Sequence, residues 1–303
     1  MCAGKMHADE VDHDVSLVRR LLAAQFPQWA DLPVEPVHSA GTDNAIYRLG
    51  DDMAVRLPRI LGATGDVEKE HRWLPRLAPL LPLAIPVPLA KGMPAEGYPW
   101  HWSVYRWLEG ETATIERIAD PNQAAMELGQ FVGALQRIDP AGGPLPGAHN
   151  SFRGGPLARR DAETRTAIAA LRGTLDPDTV TTAWEAALQA PAWEGPAVWL
   201  HGDLHATNML AHHGRLSAVI DFGGLGVGDP ACDLMVAWTY FSAETRDVFR
   251  AALPVDHATW MRGRGWALSF GLIALPYYQN TNPVLAGIAR YAIDEALTDH
   301  EQG

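Results

Sequence analysis

The chain reads as an α+β protein, and three observations carry that reading. Short β-rich runs broken by turn residues occupy residues 34 to 57, and helical apolar spacing dominates beyond Gly110. A block from Val198 to Leu234 then sets three polar residues beside two short apolar runs. At 303 residues the chain can bury a sizeable core, as one large or two medium domains. A hydrophobic content of 47% with 20% charged residues describes an ordinary globular protein.

In chain order, Val15 to Phe26 has apolar residues at helical spacing. β-like pieces follow at Val34–His38, Ala45–Leu49 and Met53–Leu57, separated by Gly41-Thr42-Asp43-Asn44 and Gly50-Asp51-Asp52. The loop Ser39–Asn44 carries one glycine; it reads equally as a plain hairpin turn or as backbone N–H groups, at Ser39 and Gly41, that cradle phosphate oxygens. A helix is expected over Asp66–Leu77, bent or ended by Pro75. Leu81–Gly92 is proline-rich, apolar and extended, and Trp102–Trp107 alternates as a strand.

Beyond Gly110, Asp120-Pro121 supplies an N-cap and an N1 proline for a helix over Ala119–Ile138 that buries Met126, Leu128, Phe131, Leu135 and Ile138. A glycine- and proline-rich loop leads into helical pieces at Arg159–Leu171 and Thr181–Ala190. His149, Asn150, Arg153, Arg159, Arg160 and Asp161, in and just after that loop, read as solvated loop residues more than as substrate contacts. After Leu234 the chain is helical through Ala237–Phe241, Thr245–Leu253, Ala258–Leu275 and Asn282–Leu297.

The chemistry concentrates in V-W-L-H-G-D-L-H-A-T-N-M-L, from Val198, and in L-S-A-V-I-D-F-G-G, which ends at Gly224. Leu216–Ile220 is a β-rich run ending in Asp221, and His213-Gly214 is a turn between it and the first block. Phosphoryl transfer from a nucleotide needs a carboxylate at the accepting hydroxyl, with an amide and a carboxylate on magnesium. Asp203, Asn208 and Asp221 supply that set, and magnesium's preference for oxygen ligands, with waters and phosphates completing its shell, suits it. Each residue alone is an ordinary turn or strand-end residue. Their joint spacing, H-x-D-x-x-x-x-N followed by D-F-G, points to a phosphotransferase.

The block resembles the aminoglycoside phosphotransferase family, small-molecule relatives of the protein kinases. His201-Gly202-Asp203 matches its H-G-D, and Gly228-Asp229-Pro230-Ala231-Cys232-Asp233-Leu234 matches its G-D-P-x-x-D-L. The resemblance implies a two-lobed protein-kinase-like fold, with a nucleotide-binding lobe (1–104), a hinge (105–110) and a mainly helical catalytic and substrate-binding lobe (111–303). By the same analogy Asp203 is the base or orienter, Asn208 and Asp221 bind Mg2+, and Asp229 and Asp233 brace the loop. Arg56 stands where protein kinases use lysine on the third strand, and Glu70 is its acidic partner by family spacing, with Glu68 the other candidate. Backbone groups near Tyr105 to Trp107 would read the purine of ATP or GTP. The insertion after Ile138 would wall the acceptor pocket, and Asp256, Asp294 and Glu295 are available to substrate ammonium groups.

The acceptor is then a hydroxyl on a small molecule: an aminoglycoside, macrolide or other antibiotic, giving resistance by inactivation, or a primary metabolite of the choline or homoserine kind. Val55-Arg56-Leu57-Pro58-Arg59 looks closer to macrolide-kinase-like members. A net charge of −12 argues against nucleic acid and is compatible with a cationic substrate, or simply with solubility. Cys2 and Cys232 suggest no disulfide framework, and without a signal core or a transmembrane-length run the economical location is the cytoplasm.

Three other readings fit less well. A zinc hydrolase built on His201, Asp203, His205, His212 and His213 leaves Asn208 and D-F-G unexplained. A dinucleotide fingerprint at Gly224-Leu225-Gly226-Val227-Gly228 has its third glycine misplaced. A non-catalytic nucleotide-binding module would retain an intact site without using it.

Overall fold

The structure, a computed structural model, describes residues 10–37 and 43–302. Ser39 and Gly41 lie outside the described residues. The chain forms two compact units, residues 1–79 with 84–109, and residues 80–83 with 110–303.

The first unit is a five-stranded antiparallel sheet with helices. Its strands are β1 (Val34–Val37), β2 (Asn44–Leu49), β3 (Met53–Pro58), β4 (Pro88–Gly92) and β5 (Trp102–Arg106), in the order β1-β2-β3-β5-β4. Its helices are α1 (Val15–Gln25), N-capped by the Asp14 carboxylate, and α2 (Thr64–Leu77). Alternation in β2 buries Ala45, Tyr47 and Leu49 while its other residues stay half-buried. They pack with Val18, Leu21, Leu22, Val55, Trp102 and Val104 as one core. The helix α2 runs through Pro75 instead of ending there. Pro75 sits in the last turn, so the helix continues for only two residues beyond it, and Trp73, Leu74 and Leu77 stay buried around it.

The second unit is mainly helical: α3 (Pro121–Arg137), α4 (Asp161–Ala170), α5 (Pro177–Gln189), α6 (Val236–Thr239), α7 (Ala243–Ala251), α8 (His257–Tyr278) and α9 (Pro283–Gln302). The Asp120 carboxylate caps α3 by accepting from the N–H groups of Asn122 and Gln123. Leu128, Phe131, Val132 and Leu135 share one face of α3, whereas Met126, half a turn away, is exposed. Small sheets join β6 (Glu111–Thr112) to β8 (Met209–His212) and β9 (Arg215–Val219), and β7 (Val198–Leu200) to β10 (Gly226–Gly228). The β8–β9 hairpin turns on His213 and Gly214, at φ 50° and 78°, the doubly left-handed backbone of a type I′ turn. Among the described residues no helix is long and apolar enough to cross a membrane.

Candidate active site

In the first unit, Arg56 on β3 donates from Nη1 to both carboxylate oxygens of Glu70 on α2, at 2.6 Å each. Glu70 is 1% exposed, so its charge is held by a buried, hydrogen-bonded pair. The Tyr105 hydroxyl, from β5, donates to the same carboxylate, and burial with the Glu70 charge raises its pKa well above the ordinary value. Glu68, the alternative partner, instead pairs with Lys91 at 2.6 Å. The Trp107 N–H donates to the Asp52 carbonyl at 2.7 Å and that of Arg106 to Val87 at 3.0 Å, so both donors are committed within the unit. The Trp107 ring lies under the Arg48 guanidinium, 4.1 Å from its centroid.

In the second unit, the hairpin brings Asn208 and Asp221 to one end of a paired ladder. Met209 pairs with Val219, and the Ile220 N–H donates to the Asn208 carbonyl at 2.9 Å. Asp221 adopts a left-handed backbone, φ 63°, rare for a residue with a side chain and found preferentially at functional positions. The Asn208 amide donates from Nδ2 to the Asp203 carbonyl at 2.9 Å and to Asp203 Oδ2 at 3.2 Å. That orientation leaves Oδ1 as the end of the amide suited to a hard cation. An amide oxygen and a carboxylate are the donor types magnesium takes, so the residues fit it.

His201 ties this end together. It is fully buried, and burial lowers its pKa, so the ring is neutral. Nδ1 accepts the Asp203 N–H at 3.1 Å, which puts the ring proton on Nε2, facing the Ile220 carbonyl at 3.0 Å. Both nitrogens are therefore occupied by backbone groups, which removes His201 as a metal ligand. Below it, Asp233 accepts the N–H groups of His201 and Gly202 at 2.7 Å each. Burial pushes Asp233 up to about 6 in spite of those two bonds. Asp229 caps its own turn at Ala231 and pairs with both Nε and Nη2 of Arg262, at 2.8 and 3.1 Å. Gly202 has φ +85°, and a Cβ there would lie 2.4 Å from the Gly224 carbonyl oxygen. Glycine at this position lets residues 201–203 lie against the turn that follows Asp221.

The Asp203 carboxylate is half-buried. Its Oδ1 faces Arg153 Nη2 at 3.1 Å, and its Oδ2 faces His205 Nε2 at 3.4 Å. Burial pushes its pKa up, but His205, Arg153 and His201 more than offset this and hold it well below the usual carboxylate range. Such a group is a weak base and a strong hydrogen-bond acceptor, which suits orienting a hydroxyl.

Of the residues read as solvated loop, His149 and Arg159 are exposed, whereas Asn150 is buried and Arg153, Arg160 and Asp161 are partly buried with partners inside the unit. Arg153 contacts Asp203 across fifty positions of chain. Arg160 donates from Nε to Ser269 at 2.8 Å, and Asp161 accepts from Arg165 and Trp184 at 2.9 and 2.8 Å. Asp256 caps α8 through the Thr259 N–H, and Glu295 pairs with Arg246, so both have internal work.

A model of the phosphotransferase enzyme family matches residues 35–266. No curated protein sequence matches the chain. Among solved structures, the GDP complex of wild-type aminoglycoside 2'-phosphotransferase-IIIa aligns with TM-score 0.75 and 17% identity, covering 95% of this chain and 99% of that one. The GDP and kanamycin complex of APH(2")-IIia gives 0.71 and 17%, covering 93% and 98%. The apoenzyme of macrolide 2'-phosphotransferase from Brachybacterium faecium gives 0.61 and 22%, covering 93% and 98%. These likenesses carry the kinase-like fold, and the family match spans most of the chain: this protein belongs to the phosphotransferase enzyme family.

Proposed function

We propose that the protein transfers the γ-phosphate of ATP or GTP to a hydroxyl of a small molecule, with Mg2+ as its metal. The observation that carries this reading is the convergence of Asp203, Asn208 and Asp221 through the β8–β9 hairpin and the His201 hydrogen bonds. Asp203 orients the acceptor hydroxyl; its oxygen bonds the γ-phosphorus as the bond to the leaving nucleoside diphosphate breaks, and the proton passes to Asp203 once that oxygen, bonded to phosphorus, has become acidic. Asn208 Oδ1 and the Asp221 carboxylate hold the metal, which when bound neutralises charge on the transferring phosphate. Arg56, fixed by Glu70, holds donor phosphate oxygens; arginine serves here in place of a point-charge lysine. Carbonyls along residues 105–107 read the purine, since the neighbouring N–H groups are committed. A magnesium- and nucleotide-dependent reaction of this kind belongs in the cytoplasm.

The aminoglycoside and macrolide phosphotransferases that share the fold support an antibiotic as acceptor, with inactivation by phosphorylation as the result. A hydroxyl-bearing metabolite is the second reading, favoured by the arginines around Asp203. ADP and GDP release measured over a panel of both classes tests the function. With any acceptor that turns over, Asp203→Ala should lower kcat by at least ~10²-fold and leave nucleotide affinity nearly intact by calorimetry. Equal turnover in variant and wild type would overturn the assignment.

A further inference from the structure

Arg153 and Arg160 bring two cations to one indole ring beside the Asp203 carboxylate. Their guanidinium carbons lie 5.9 and 5.3 Å from the Trp266 ring centroid. Arg153 is placed by a loop packed on β10. The Val227 N–H donates to the Pro144 carbonyl at 2.9 Å, the Asp229 N–H to Gly154 at 2.8 Å, and Asn150 closes the loop on itself through Gly147 and Arg153. Ser151 and Phe152 within it both hold left-handed backbone, φ 51° and 58°. A loop strained and fastened in this way is built to present a side chain.

At Arg153 burial is more than offset, by Asp203 first, whereas at Arg160 it is not. Arg153 donates from Nη2 to Asp203, while its Nη1 is buried with no hydrogen-bond partner among the described residues. Cys232 and Asp233 also stand beside it. Both Asp233 oxygens are taken by backbone N–H groups, and the Cys232 thiol, pushed up by burial to about 12, is protonated and faces the Gly202 carbonyl. Arg160 bonds only the neutral Ser269 hydroxyl and makes no ion pair among the described residues. Burial first, then the Arg153 charge, lowers its pKa to about 10. Largely buried guanidinium groups are ordinarily paired, and arginine favours carboxylate and phosphate oxygens.

We propose that Arg153 and Arg160 form an oxyanion subsite for the acceptor, receiving a carboxylate or phosphate ester carried beside the hydroxyl that Asp203 orients. The acceptor is then an acidic hydroxyl compound, and the same two charges select against a polycation. This rests on the phosphotransferase reading and narrows it. The shared oxyanion chemistry has one other source, the transferring phosphoryl group itself, and the test separates the two.

Inorganic phosphate is titrated calorimetrically into the whole protein with the donor site filled by magnesium and a non-hydrolysable nucleotide. Wild type should bind it, Arg153→Gln and Arg160→Gln should weaken it about tenfold or more, the scale of one charge-assisted hydrogen bond, and Arg160→Lys should restore it. Thermal melts confirm that each variant is folded. Absent binding in wild type, or binding that survives both glutamine variants, overturns the proposal. Loss of binding on Arg56→Gln with retention in the other two also overturns it, by placing the phosphate in the donor subsite. In turnover, Arg160→Gln should raise KM for acidic acceptors and spare kcat; an equal fall in kcat for acidic and neutral acceptors would assign the arginines to the phosphoryl group instead. Phosphate binding needs no turnover, so its failure is separate from failure of the phosphotransferase reading, which would appear as absent nucleotide-dependent transfer.

Discussion

Gly202→Ala probes how the loop carrying Asp203 and the turn at Asp221-Phe222-Gly223 are joined. With φ at +85°, a side chain at residue 202 costs about 1–2 kcal/mol in backbone conformation. The new methyl would also sit 2.4 Å from the Gly224 carbonyl oxygen, an overlap that only a backbone shift relieves, at about 1–3 kcal/mol. Together these give about 2–5 kcal/mol, or a melting temperature lower by about 5–20 °C for a unit of this size. Gly173→Ala is the matched control, because Gly173 has φ +91° and nothing within 4 Å of its would-be Cβ. Calorimetric melts of both variants should show the second losing only the conformational share. Nucleotide turnover should fall in Gly202→Ala, since Asp203 and Asp221 move apart, and hold in Gly173→Ala. Equal destabilisation of the two variants, with wild-type turnover in both, would refute the reasoning.

Three further outcomes are expected. Asp221→Ala should abolish the magnesium-dependent part of nucleotide binding; calorimetry giving the same affinity with and without Mg2+ as wild type counts against the ligand assignment. Glu70→Ala removes the acceptor of Arg56 Nη1 and of the Tyr105 hydroxyl, so nucleotide affinity should drop about tenfold, and stability by about 3–5 kcal/mol for a broken buried pair; an unchanged Kd would remove Arg56 from the donor site. Burial, partly offset by Lys69 at 3.0 Å, raises Asp66 from 3.8 to about 6. The folded state therefore holds the extra proton between those values, so this group's stabilising share is complete below 3.8 and is lost as pH rises towards 6. Asp66→Asn should then stabilise the protein at pH ~7.5, by at most about 3 kcal/mol for a carboxyl raised that far, with the gain shrinking towards pH ~4. A denaturation difference that is flat or reversed across that range would contradict it.

What the sequence discloses here is what is local. Three strands, the His213-Gly214 turn and the Asp120 cap are set by neighbours in sequence, and they stand where alternation and capping put them. Asp203, Asn208 and Asp221 announce themselves because a hairpin with a two-residue turn fixes their spacing. Contacts across long separations leave no such trace. Arg153 meets Asp203 from fifty residues away, out of a proline- and glycine-rich stretch whose composition reads as solvated loop. The sequence marks Tyr105 only for its backbone, whereas its hydroxyl reaches Glu70 across 35 positions. Met126 shows the other limit: it is apolar, yet it falls on the wrong face of α3.

The Glu70 carboxylate receives Arg56 from β3 and Tyr105 from β5 at once, so α2 is fastened to the sheet from two adjacent strands. In protein kinases the equivalent helix is a switch whose ion pair is assembled on demand. Here a second tether joins that pair, and Glu70, at 1% exposed, sits with both in the interior of the first unit. Two strands thus grip one carboxylate, so removing either Arg56 or the Tyr105 hydroxyl alone still leaves α2 tied to the sheet through the other.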